Sequence, residues 1–182
     1  MTRRRALWLL GIAALALFAV QLVYDGRMQD AGHHGIIAFE VAFTAGKAHS
    51  IMVAWGTKGH DAAVASLWFD FLFLISYGLF LVLAVRALRD ALATRGWRRL
   101  ARPGGTIAVL ALVALVCDAL ENVFLLLQLG GHAQSIGPTL AGSFASVKFA
   151  CVAVAIGYLL AGLAALGATR ARQGAAPGGE RA

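Results

Sequence analysis

The chain has 182 residues, of which 60% are hydrophobic and 14% charged, and its mean hydropathy is +0.75. A water-soluble domain of this size could not hide so much apolar surface, so the composition excludes a soluble globular protein and points to an integral membrane chain. The formal charge of +7 does not mark a nucleic-acid partner, because the arginines stand in short segments between apolar runs and not on one folded face.

Ala6 to Tyr24 follows Thr2-Arg3-Arg4-Arg5 and is apolar for about 19 residues, roughly 28 Å as a helix and enough to span a bilayer. The stretch Gln21-Leu22-Val23-Tyr24-Asp25 offers no small-residue cleavage site, so the run reads as a retained first span. Asp25 to Gly35, with three glycines and His33-His34, reads as a loop. In Ile36 to Trp55 the polar residues Glu40, Thr44 and Lys47 fall at i, i+4, i+7, which predicts an amphipathic helix at the outer interface, either lying on the headgroups or capping a pocket. The stretch from Trp55 to Asp61 is a turn by its glycines and polar side chains.

Ala62 to Val85 is the second span, interrupted by Asp70, which shares a helix face with Tyr77 and has Ser66 one turn above it. The connection that follows holds Arg86, Arg89, Arg95, Arg98, Arg99 and Arg102 and closes with Pro103-Gly104-Gly105. Thr106 to Leu129 is the third span, and it carries Cys117-Asp118-Ala119-Leu120-Glu121-Asn122 in its middle. Asp118, Glu121 and Asn122 are spaced i, i+3, i+4 and lie on one helical stripe, so a single helix offers a polar face where water is scarce. Leu129 to Pro138 is a short turn, and Thr139 to Ala168 is the fourth span, interrupted by Lys148 and bearing the small-residue pairs Ala141 with Ala145 and Ala161 with Ala165. The polar stretch 169–182 reads as a disordered tail.

The expected architecture is therefore all-α: one membrane domain over 1–168, a bundle of four transmembrane helices with an outer amphipathic helix between spans one and two. The arginine-rich segments all fall on one side of four spans, which by the positive-inside rule puts both termini in the cytoplasm. Cys117 and Cys151 sit in apolar runs without a C-x-x-C pair and read as small buried hydrophobes. The five histidines lie in or near the outer segments, which argues against a metal site or an intramembrane haem, so the reading calls for no cofactor.

Counted from the outer helix ends at 1.5 Å per residue, Asp70 lies roughly 10 Å deep, Glu121 roughly 13 Å, Lys148 roughly 15 Å and Asp118 roughly 18 Å. Each such charge costs on the order of 3 kcal/mol to insert, a heavy load for helices with no task beyond sitting in lipid. If all were ionised, Asp70, Asp118 and Glu121 facing Lys148 would leave a net of about minus two, so protons or a cation must join them.

The combination of Glu40, Trp55-Gly56, Leu67-Trp68-Phe69-Asp70-Phe71-Leu72-Phe73 with Tyr77, Asp118-Ala119-Leu120-Glu121-Asn122 and Lys148 resembles a group of small bacterial four-span membrane proteins. Members of that group share an Asp-Phe-Leu-Phe stretch before a Tyr and an Asp-x-x-Glu-Asn stretch. The resemblance covers most of 36–150 and implies a bacterial cytoplasmic membrane; it brings no catalytic residue and no substrate.

Three functions stay open. In the first, the outer half of the protein binds or acts on a lipid or other amphiphile. Asp118 and Glu121 would then be an acid and base pair, Asp70 and Lys148 would set the local field, and Asn122, Tyr77, Glu40 and Trp55 would contact the ligand. In the second, the carboxylates drive a proton-linked carrier, which with four spans requires a homodimer through the fourth span. In the third, the protein is a non-catalytic accessory subunit in which Lys148 pairs with Glu121 or Asp70 and Asn122 bridges helices.

Overall fold

The computed structural model describes residues 2–132 and 136–174. Four helices are long and apolar enough to cross a membrane: α1 (Arg3–Gly32), α3 (Ala45–Thr94), α5 (Gly104–Leu129) and α6 (Gly137–Gly174). Two short helices lie between them, α2 (Ile36–Glu40) ahead of α3 and α4 (Arg98–Ala101) ahead of α5. Among the described residues there is no strand.

Helix α1 packs along α3, α5 along α6, and α3 touches both α5 and α6. Outward faces carry Trp8, Leu15, Leu22, Trp68, Leu72, Val109, Leu160 and Leu163, all exposed. Helices satisfy their backbone groups internally, so an apolar exterior of this kind is what a bilayer accepts. Inside, small residues let backbones approach: Ala111 and Ala114 of α5 and Ala141, Ala145 and Ala155 of α6 are fully buried. The Ala141 and Ala145 pair is thus spent within the chain and is no free surface for a second copy, whereas Ala161 is exposed.

The start of α1 and the later part of α6 both lie with the α3–α5 connection. Arg3 donates to Asp90 at 2.8 Å, and Trp97 Nε1 donates to Thr169 at 2.9 Å. That is the arrangement an even number of crossings requires.

The structure departs from the sequence reading between 25 and 61. Helix α1 runs to Gly32, through the polar stretch expected to be a loop, and ends where His33 takes a left-handed conformation. The single outer helix expected over 36–55 is instead two pieces, because the chain turns at 41–44, where Phe43 has φ 57°. Thr44 then caps α3 by accepting the Lys47 N–H. Glu40, Thr44 and Lys47 therefore do not form one stripe: Glu40 is buried, Thr44 is a cap and Lys47 is exposed. The turn expected over 55–61 is helical except at Gly56, whose φ of 55° and ψ of −158° bend α3 in a region open essentially to glycine alone. At the other end, 169–174 continue α6; the remainder of the expected tail, 175–182, lies outside the described residues, as do 133–135 of the expected α5–α6 turn.

Candidate functional site

The stripe on α5 faces inward, with Asp118 2% exposed, Glu121 0% and Asn122 1%. Lys148 on α6 meets it: its Nζ lies 3.0 Å from Asp118 Oδ1 and 2.8 Å from Glu121 Oε2. From α3, the Tyr77 hydroxyl donates to Asp118 Oδ2 at 2.6 Å. Asp118 thus has a donor on each oxygen, one from each neighbouring helix.

Asp70 belongs to a second arm. Asn122 Nδ2 donates to its Oδ2 at 2.6 Å and Gln21 Nε2 of α1 donates to its Oδ1 at 2.7 Å, while Gln21 Oε1 accepts from Ser66 at 2.6 Å. The expected partnership of Lys148 with Glu121 is present; the alternative with Asp70 is not, and the Asp70 oxygens accept from Gln21 and Asn122 instead. The bridging role expected of Asn122 is realised between α5 and α3.

Glu40 reaches the site through the folded-back segment after α1. The Asp25 carboxylate accepts the Ile36 N–H at 2.7 Å at the start of α2. Phe39 packs on Trp55 with ring centroids 5.1 Å apart, and Trp55 Nε1 donates to the His34 carbonyl at 2.6 Å. The far side of the segment is held by Thr139, which donates to the Phe43 carbonyl at 2.7 Å. Gly142 lets the Phe43 ring lie against α6, since a Cβ there would fall 2.6 Å from that ring. Held at both ends, α2 points Glu40 at Lys148, with Oε2 3.6 Å from Nζ, and this buried oxygen has no hydrogen-bond donor.

A cavity of about 390 Å³ opens beside these groups. Its polar wall is Gln21, Glu40, Ser66, Asp70, Tyr77, Asp118 and Lys148. The apolar remainder includes Phe18 of α1, Ile37 of α2 and Phe149 and Ile156 of α6, which are also among the exposed residues. The mouth therefore lies among apolar side chains on the outward surface between α1 and α6. Glu121 and Asn122 do not line the cavity; they stand behind Lys148 and Asp70 and position them. Trp55 is 2% exposed and supports α2 from behind, so it is no part of the wall.

Gln21 and the aromatic rim were not among the candidates read from the sequence. An amide within an apolar span is a usable signal, since it must find a partner there. The phenylalanines carried none, because an aromatic on a membrane helix is ordinary in itself. Among the described residues, no group of three or more His, Cys, Asp or Glu side chains is arranged to hold a metal ion, and Cys117 and Cys151 are free thiols.

With four carboxylates, Glu40, Asp70, Asp118 and Glu121, around one ammonium, the site has a formal net charge of minus three when fully ionised. A buried site cannot sustain that charge, so it holds protons or receives a positive group. No protein-family model, curated protein or solved structure matches the chain.

Proposed function

We propose that this is a multi-pass protein of a bacterial cytoplasmic membrane, with both termini cytoplasmic, that binds a lipid or other amphiphile from the bilayer. The observation that carries this reading is the cavity of about 390 Å³, with an exposed apolar mouth at Phe18, Ile37, Phe149 and Ile156 and a polar wall of Glu40, Asp70, Tyr77, Asp118 and Lys148. A mostly apolar pocket with a few convergent polar groups is the usual form of a small-molecule site. Here an apolar tail would enter from lipid while the head meets the carboxylates.

Binding suits the geometry better than acid and base catalysis by Asp118 with Glu121. A catalytic group needs hydrogen-bond reach to its substrate, and Glu121 is fully buried outside the cavity wall. Native mass spectrometry of gently extracted protein tests the reading. Wild type is expected to retain an amphiphile that is lost in Asp118→Asn and in Val152→Trp, which fills the cavity wall. Retention of the same molecule by Val152→Trp would sink it.

The carrier is the second reading, favoured by the formal charge of minus three, which requires proton uptake by some of the acids. It predicts proton flux in liposomes that Asp118→Asn abolishes. A binder carries no flux in either form.

A further inference from the structure

A second cavity of about 300 Å³ is lined by Gly11, Ala14, Leu15, Phe18, Phe73 and Phe80. Phe18, Phe73 and Phe80 also line the first cavity, so the two adjoin along the α1–α3 seam. The second has no polar residue in its lining. From Gln21 at the polar wall to Gly11 is ten residues, about 15 Å along the axis of α1. Together they form a groove with a charged end and a hydrocarbon end, open on the outward side where Leu15 and Phe18 are exposed.

The charged end discriminates by sign. Glu40, Asp70 and Asp118 face the first cavity with Lys148 as the only cation in its lining. Lys148 is already engaged by Asp118, Glu121 and Glu40, so it has little left to offer an anion. Glu40 lines the same wall and is the most loosely held of the acids around Lys148, its Oε2 lying 3.6 Å from Nζ. Such a wall attracts a hydrogen-bond donor of positive charge and repels a phosphate.

Resting on the amphiphile reading above, we infer that the ligand is a single-tailed amphiphile with an ammonium head, the head placed among Glu40, Asp70 and Asp118 and the tail laid in the α1–α3 groove past Phe18 and Phe73 toward Gly11. Gly11 keeps the groove open at its far end: a Cβ there would lie 3.3 Å from the Phe80 ring, so a larger side chain occupies the space of the tail. Leucine at this position favours the helix over glycine, which keeps the variant foldable.

The test uses full-length protein in non-ionic maltoside micelles at neutral pH, titrated with tetradecylamine, tetradecanol and tetradecyl phosphate and read by native mass spectrometry. Tetradecylamine is expected to bind at least about tenfold more tightly than tetradecanol, with no bound tetradecyl phosphate. Glu40→Gln narrows the gap between amine and alcohol. Gly11→Leu weakens tetradecylamine about tenfold and leaves hexylamine, too short to reach the groove, unchanged. Equal binding of phosphate and amine overturns the inference while leaving an amphiphile site in place, as does undiminished tetradecylamine binding by Gly11→Leu. Failure of all three long-chain probes overturns the amphiphile reading itself.

Discussion

Two ion-pair clusters differ in almost everything except their chemistry. At the start of α1, Arg3 and Arg89 grip Asp90 at 2.8 Å each, on side chains 42% to 48% exposed. Deep between the helices, Lys148 meets Asp118, Glu121 and Glu40 on side chains no more than 10% exposed. The first has two cations for one acid and an aqueous or headgroup surrounding that tolerates any imbalance. The second has one cation for three acids and a surrounding that tolerates none. Contact distance alone therefore says little about what an ion pair contributes. What decides is whether the charges left behind after one is removed can find solvent.

Lys148→Met should cost most, about 3–5 kcal/mol, since it leaves three carboxylates facing one another in a buried space. Thermal unfolding in micelles would register the loss, and high salt should not restore it because ions do not reach the cluster. Tyr77→Phe takes away the donor to Asp118 Oδ2 without opening a void. A loss of about 1–3 kcal/mol is expected in the same assay, and a negligible change would mean that Asp118 does not depend on this bond. Glu40→Gln works in the opposite direction: with one excess negative charge removed, unfolding should shift upward by on the order of 1 kcal/mol while ligand discrimination suffers. A large destabilisation would show Glu40 to be a structural partner of Lys148. Asp90→Asn should cost least, below about 1 kcal/mol, and added salt should erase the difference from wild type. If Asp90→Asn were as damaging as Lys148→Met, the contrast between the clusters would be void.

Much of this arrangement is legible in the sequence because membrane insertion writes a coarse signal. Four apolar runs separated by polar or glycine-bearing segments predict the four long helices, and the i, i+3, i+4 spacing of Asp118, Glu121 and Asn122 predicts one buried polar stripe. Boundaries are less visible, because a helix can outrun its apolar part, as α1 does through Asp25 to Gly32. The break at Phe43 is silent in the pattern of polar residues, since a positive φ at a phenylalanine is imposed by tertiary contacts such as Thr139 with the Phe43 carbonyl. For the same reason, spacing places Glu40 near the outer ends of the helices but does not bring it to Lys148. Gln21 was hidden by its position at the presumed end of a span, when the helix continues well past it.

The segment carrying Glu40 is fastened on one side to α1 and α3 and on the other to α6, which follows them in the chain. The ribosome needs roughly 5–20 s to add the roughly one hundred residues that separate Glu40 from Lys148. Throughout that interval the nascent chain has an acidic segment ready but no countercharge to receive it. The contacts of this segment with Thr139 and Lys148 therefore form only after α6 is made, and a chain halted before α6 has one side of the site without the other.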